Sequence, residues 1–148
     1  MALRRFSKNV RPTGRGSDSM LDHVGISVTD YHKSRVFYVD ALLPLGVDVV
    51  MDVTSEQTGG YQGTGFGTDS KPWFWIGTGE ARSGSGTHVA FAAATRRDVD
   101  RFYAAAIAAG GRDNGAPGLR PHYHAHYYGA FVLDPDGNNV EAVCHAPA

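Results

Sequence analysis

The chain has 148 residues, 42% of them hydrophobic and 20% charged, with a formal net charge of −1 and a single cysteine, Cys144. That length suits one domain able to bury a core; no apolar run reaches the eighteen or so residues of a membrane helix, and one cysteine excludes an internal disulfide. Charge is uneven: residues 1–19 hold Arg4, Arg5, Lys8, Arg11 and Arg15 against Asp18, a net +4, which leaves −5 for residues 20–148. A mildly acidic body argues against nucleic acid or a membrane as partner, and a reducing cytoplasm is the expected compartment. The basic stretch 1–19 reads as a disordered leader or as residues preceding a start at Met20, with organelle targeting or a nucleic-acid-binding arm as alternatives.

From Met20 the residues alternate, Val24, Ile26 and Val28 to one side and His23, Gly25 and Ser27 to the other, which predicts a strand with one packed face. Asp30 is a helix N-cap, and Ser34, Phe37, Tyr38, Ala41 and Leu42 form the buried stripe that follows it, ended by Pro44 and Gly46. Strands are expected over 47–53, around 61–66 and over 73–76, and the Gly- and Ser-rich residues 78–86 read as a linker. Thr87 opens a second series. In it Val89 and Phe91 pack while His88, Ala90 and Ala92 face away; Thr95 and Asp98 start a helix whose stripe is Val99, Phe102, Tyr103, Ala106 and Ile107. Gly110 and Gly111 close it. A strand over 127–133 then turns through Asp134-Pro135-Asp136-Gly137-Asn138 into a last strand over 139–144.

The two series match at an ungapped offset of 65 residues, with identical pairs His23/His88, Val24/Val89, Phe37/Phe102, Tyr38/Tyr103, Ala41/Ala106, Gly46/Gly111, Asp48/Asp113, Phe66/Phe131 and Asp69/Asp134. The chain therefore reads as two tandem βαβββ modules, 20–77 and 87–148, in one α+β domain. Their sheets are expected to form an open, curved, barrel-like trough with the helices outside.

Glu141 stands in a terminal strand otherwise made of small and apolar residues, where an uncompensated carboxylate would cost several kcal/mol. If the faces bearing His23 and His88 line the trough, Glu141 joins them. Two imidazoles and one carboxylate with vacant positions suit a divalent metal that also holds a substrate, and the donor types admit Fe, Mn, Zn, Ni or Co. At the offset of 65 the counterpart of Glu141 is Ile76, so three protein ligands are expected. The competing reading is a metal-free trough in which the same residues form hydrogen bonds. Cys144 is expected to be a small packed hydrophobe.

The strands LDHVGISV and GTHVAFAA, the two Phe-Tyr helices and the closing FVLDPDGNNVEAV resemble the vicinal oxygen chelate superfamily, which includes glyoxalases, bleomycin-resistance proteins and extradiol dioxygenases. The resemblance covers residues 20–145. It implies that His23, His88 and Glu141 hold one divalent metal, that Glu141 takes part in catalysis, and that the substrate is a small oxygen-bearing molecule chelated to the metal. Ile76 departs from the four-ligand pattern of glyoxalase I. Phe131 stands where extradiol enzymes carry a tyrosine, and Gly25 stands where fosfomycin transferases carry a threonine. A glyoxalase-like lyase or isomerase is thus the leading expectation, with an extradiol-type dioxygenase or a metal-free binding protein of the bleomycin-resistance type as alternatives. A homodimer is implied, with modules exchanged between subunits as one possible arrangement.

The segment 110–131 adds further candidates. His122, His124 and His126 would share a strand face if extended, opposite Tyr123 and Tyr127, or be incidental in a loop. Arg120 suits an anionic substrate group, although a solvated arginine explains it equally. Tyr61, Trp73, Trp75 and Tyr128 offer aromatic surface to a ligand, or fill the core. Arg120, His122 and Tyr128 are the candidate substrate-binding residues.

Overall fold

The structure, a computed structural model, describes residues 21–80 and 86–148. The expectations for residues 1–19 and for most of the linker lie outside the described residues. The first module comprises β1 (Val24–Val28), α1 (Tyr31–Leu42), a 3-10 turn (Leu43–Leu45), β2 (Asp48–Val53), the single-turn α2 (Ser55–Thr58), β3 (Gly63–Thr68) and β4 (Lys71–Thr78). The second comprises β5 (His88–Ala92), α3 (Arg96–Ala108), β6 (Arg112–Leu119), β7 (Tyr128–Leu133) and β8 (Asn139–Cys144). Each forms its own four-stranded mixed sheet, in the orders β1-β4-β3-β2 and β5-β8-β7-β6, with the first strand parallel to the last. The α+β duplication is as expected, and neither sheet closes on itself. No helix of the described residues is long and apolar enough to cross a membrane.

Local chemistry sets the helix starts. The Asp30 carboxylate accepts from the Lys33 amide at 3.0 Å, and Thr95 and Asp98 form a reciprocal capping box. Gly46, at φ 75°, supplies the left-handed residue that ends the 3-10 turn. Most of the predicted stripes are buried: Phe37, Tyr38, Ala41 and Leu42 on α1, and Val99, Phe102 and Ala106 on α3, are fully buried, whereas Tyr103 is partly buried and Ile107, at the end of the α3 stripe, is 36% exposed.

Both modules contribute to one core. Helices α1 and α3 pack on each other, and the Phe74 and Phe91 rings meet edge to face at 5.1 Å. The β7–β8 hairpin turn reinforces this junction. Asp134, 1% exposed, accepts from the amides of Asp136 and Asn138 at 2.9 and 2.8 Å, from Asn138 Nδ2 at 2.9 Å, and from the Tyr38 hydroxyl of α1 at 2.6 Å. Asp136 meets the Thr29 hydroxyl at the end of β1. The turn foreseen as a tight hairpin is therefore also the polar bolt between modules.

One expectation is corrected, one element is found that the sequence does not place, and one open reading is decided. First, the offset of 65 holds for the first strands and the helices but not for the last strands. Gly25 pairs with Trp75, whereas Ala90, 65 positions after Gly25, pairs with Glu141, 66 positions after Trp75. Trp75, not Ile76, is thus the structural counterpart of Glu141; Ile76 pairs with Ile26 and is fully buried on the core face. The identity of Phe66 and Phe131 is likewise accidental: Phe66 is buried opposite Phe74, while Phe131 lies opposite Glu141 on the other face. Second, β6 has no strand signal in the sequence, because Gly115, Pro117 and Gly118 interrupt it and its pairing with β7 shifts register twice. Third, residues 121–126 make turns rather than a strand, so the three histidines do not share a strand face.

Candidate functional site

Strand alternation and register decide which side chains can meet. On the second sheet, Ala90 pairs with Glu141 and Glu141 with Phe131, so one face carries His88 and Ala90 from β5, Glu141 from β8, and Gly129 and Phe131 from β7. The opposite face supplies Val89, Phe91, Val140, Ala142 and Val132 to the core. The burial puzzle posed by Glu141 is answered here. Its side chain is 1% exposed, and both oxygens are engaged: Oε2 lies 2.8 Å from Nε2 of the half-exposed His88, and Oε1 accepts from the Tyr127 hydroxyl. Burial, and then the bond to Glu141, push the Tyr127 hydroxyl up to about 12, so it is a proton donor throughout the physiological range. Gly129 gives this pair room; a Cβ there would stand 3.2 Å from the Tyr127 ring and 3.3 Å from Glu141 Oε1.

On the first sheet the corresponding face is lined by glycines and aromatics. Trp75 lies across Gly65, and Tyr61 lies across Gly63 and Gly77, where any Cβ would collide with the rings. They border a groove of about 120 Å³ with Gly25 and Ser27. A wider open depression of about 800 Å³ at the β2 edge, lined by Gly46, Met51 and Ser70 among others, shares no residue with either site and lacks their imidazoles. His23 precedes β1, with Nδ1 2.7 Å from Asp22 Oδ1, and Asp22 is also paired with Lys71. The His23 bond, then Lys71, hold the Asp22 carboxyl below its usual range. A carboxylate at Nδ1 fixes the imidazole with Nε2 available, the arrangement common to metal-binding histidines.

The structure therefore brings His88 and Glu141 together and leaves His23 on the other sheet. Among the described residues no three His, Cys, Asp or Glu side chains gather as a metal site. As a donor set, imidazole and carboxylate side by side on one face fit a divalent ion, but one chain supplies only two of the three expected ligands at that point.

The other candidates divide. Arg120 lies over the Phe131 ring at 5.5 Å, beside the His88–Glu141 face. His122 is exposed in the turn and reaches that face only through ring contacts, packing on Tyr123 at 4.2 Å, which meets Tyr127 at 4.9 Å. Tyr128 points the other way. Its hydroxyl donates to Asp100 of α3 at 2.7 Å and Arg96 covers its ring, so the structure places it against the helix. Trp73 packs on Phe91 at the core margin. Two residues of the site escape sequence reasoning: Tyr127, which the sequence only sets opposite the histidine row, and Gly129. The available signal is their even spacing from Phe131, the strand period that puts all three on one face.

Comparison with known proteins agrees with this architecture. A glyoxalase/bleomycin resistance protein from Albidiferax ferrireducens T118 is 31% identical, with a TM-score of 0.69 over 87% of this chain and 100% of its own. A glyoxalase/bleomycin resistance protein/dioxygenase family enzyme from Burkholderia phytofirmans PsJN is 22% identical, with a TM-score of 0.62 over 86% of this chain and 100% of its own. At 18% identity and a TM-score of 0.57, the fold is shared by a glutamate-to-glutamine mutant of the fosfomycin resistance protein FosX from Listeria monocytogenes, solved with Mn(II) and 1S,2S-dihydroxypropylphosphonic acid, over 86% of this chain and 90% of that one. No curated protein matches the chain. The family model of the Glyoxalase/Bleomycin resistance protein/Dioxygenase superfamily matches residues 20–142, and the chain belongs to that superfamily.

Proposed function

We propose that the protein is a metal-dependent enzyme of the lyase or isomerase type acting on a small oxygen-bearing substrate. The observation that carries this reading is the His88–Glu141 pair, an imidazole and a 1%-exposed carboxylate at 2.8 Å on the open face of the second sheet. His88 and Glu141 of one subunit, with His23 from a second copy, would hold one divalent ion, Fe, Mn, Zn, Ni or Co. Module exchange in a homodimer supplies what one chain lacks, because a two-fold axis delivers His23 twice, once to each His88–Glu141 pair.

When bound, such an ion supplies Lewis-acid stabilisation of negative charge developing on a substrate oxygen. The chain's own residues prepare the rest. Glu141 is held by Tyr127 in a fixed orientation, and its other oxygen is shared with His88. A carboxylate anchored through one oxygen and sharing the other with an imidazole at the open face can accept a proton from carbon beside a carbonyl and return it, which is lyase and isomerase chemistry. Phe131, standing at the position where the extradiol enzymes carry a tyrosine, supports this over ring-cleaving dioxygenation, although Tyr127 supplies a hydroxyl to Glu141 from elsewhere.

A metal-free binding protein is the second reading. It is favoured by the fact that Tyr127 and His88 satisfy both Glu141 oxygens without an ion, and by the groove between Tyr61 and Trp75. Metal analysis of protein purified without an affinity tag, in parallel with Glu141→Ala, tests the proposal. Stoichiometric metal lost in the variant supports the enzyme; a metal-free wild type that also fails to take up added Mn(II) ends it.

A further inference from the structure

We infer that His124 and His145 are positioning residues for Glu141: as a neutral pair bonded in one direction they hold the Tyr127 ring on that carboxylate, and a proton taken up by either imidazole releases the hold. The contact they act through is Tyr127 on Glu141, which the chain makes with its own side chains and without help from a metal.

Tyr128 pairs with Cys144, so Tyr127 and His145 stand one residue further along on each strand and emerge on the face that carries Glu141. Their rings meet edge to face at 5.2 Å. The turn over 121–126 brings His124 back onto the same tyrosine, with the rings 5.5 Å apart and the His124 carbonyl accepting from the Tyr127 amide at 3.2 Å. The two imidazoles stack at 4.9 Å, and Nε2 of His124 lies 2.7 Å from Nδ1 of His145. Tyr127 is thus walled by two side chains that bond to each other, while its hydroxyl reaches Glu141.

The backbone sets the direction of the bond between them. The His126 amide can only donate, and it lies 3.1 Å from Nδ1 of His124, so that nitrogen presents a lone pair and the proton of the neutral ring is on Nε2. Nε2 therefore donates to Nδ1 of His145, whose own proton is on its Nε2. A further proton has no place in this chain: on Nδ1 of His124 it would face the His126 N–H, and on Nδ1 of His145 it would face the N–H of His124. No anion offsets the added charge. Among the described residues no carboxylate lies within ion-pair distance of either ring. The titratable and charged groups around them are Tyr127, Tyr123 and His122 stacked in turn beyond it, and Arg120, whose charge acts on the Tyr127 hydroxyl.

The same polarity argues against a second metal at this histidine cluster. A ligating imidazole donates its outer N–H to an acceptor, whereas the outer nitrogen of His124 is itself an acceptor. Both rings are exposed, so protons reach them from solvent. Protonation replaces a hydrogen bond with two facing N–H groups; the imidazoles part, and Tyr127 loses two of the walls that keep it on Glu141.

Nuclear magnetic resonance of the whole protein, with isotope-labelled histidine, tyrosine and glutamate, tests this over the imidazole range of about pH 5 to 8. In wild type the Tyr127 ring signals should shift as the pair titrates, and the contact between the Tyr127 and His145 rings should be lost on the acid side. The double variant His124→Gln, His145→Asn keeps a donor in place of Nε2 and an acceptor in place of Nδ1 but cannot titrate. Its Tyr127 signals should hold the neutral position throughout, although His88 still titrates. At about pH 8, His145→Ala should reproduce the acid position of Tyr127 without adding a charge, and should move the Glu141 carboxyl signal in wild type but not in a Tyr127→Phe background. The wild-type and double-variant titrations decide the matter if His145→Ala does not fold. Tyr127 signals that ignore the titration or move equally in the double variant, or an Nδ1 proton on either neutral ring, overturn the inference. So does Zn(II) binding that disappears in His145→Asn, which would make the pair a metal site.

Discussion

Tyr127 donates its hydroxyl to one oxygen of Glu141 while His88 holds the other, so a single buried carboxylate is fixed from both sides. An outer partner that orients a ligand typically contributes ten- to a hundredfold in metal affinity. Tyr127→Phe should therefore weaken Mn(II) binding by about that factor without abolishing it, whereas Glu141→Ala should abolish it. Titration followed by the electron paramagnetic resonance of free Mn(II) measures both. Unchanged affinity in Tyr127→Phe would show that the tyrosine serves only to cover the carboxylate.

How far the sequence could be read is clearest around these residues. The His23 and His88 strands, the two helix stripes and the Asp134–Asn138 turn were legible because each rests on local periodicity or turn chemistry, which tertiary packing here reinforces. Glu141 stood out because a carboxylate in an apolar strand needs a partner, and it has two. Register was not legible. A bulge leaves hydrophobic composition nearly unchanged while moving side chains to the other face, so a constant offset assigned Ile76 to the site when Trp75 occupies that place. β6 was hidden because Gly115, Pro117 and Gly118 interrupt its strand pattern and its pairing with β7 shifts register twice.

That register makes a sharp prediction. Trp75→Glu places a carboxylate on the open face of the first sheet, where the counterpart of Glu141 belongs, and should give a folded protein with a cooperative melt. Ile76→Glu buries a charge among Phe66, Phe74 and Tyr38 and should destabilise by more than about 4 kcal/mol. Urea unfolding monitored by circular dichroism separates the two, and comparable losses would reject the register.

Tyr38 and Asp134 couple the modules at 2.6 Å, both fully or nearly fully buried. Removing the hydroxyl in Tyr38→Phe should cost about 1–3 kcal/mol at pH 7, since the acceptor is a carboxylate that keeps its other three donors. Burial, and then the Asp134 charge, raise the Tyr38 hydroxyl well above its ordinary value of 10.0. The neutral form is thus favoured in the folded state: its contribution is full below the unfolded value and is lost as pH rises toward the folded one. The stability gap between wild type and Tyr38→Phe should narrow between pH 9 and 11 in urea titrations. A gap that widens there would reverse the sign and refute the assignment.

The separation of His23 from the His88–Glu141 pair within one chain can be tested by complementation. If the site is shared across a two-fold dimer, His23→Ala and Glu141→Ala each damage both sites of their own homodimer. A mixed dimer, however, unites His23 of the Glu141→Ala chain with His88 and Glu141 of the His23→Ala chain, restoring one site and leaving the other doubly damaged. Random mixing yields mixed dimers as about half the population, so about a quarter of all sites should regain wild-type Mn(II) affinity. The two variants are unfolded together, refolded and titrated against each variant refolded alone. Recovery near that fraction requires exchange of ligands between chains, because no site assembled within one chain can be repaired by a partner carrying the other lesion.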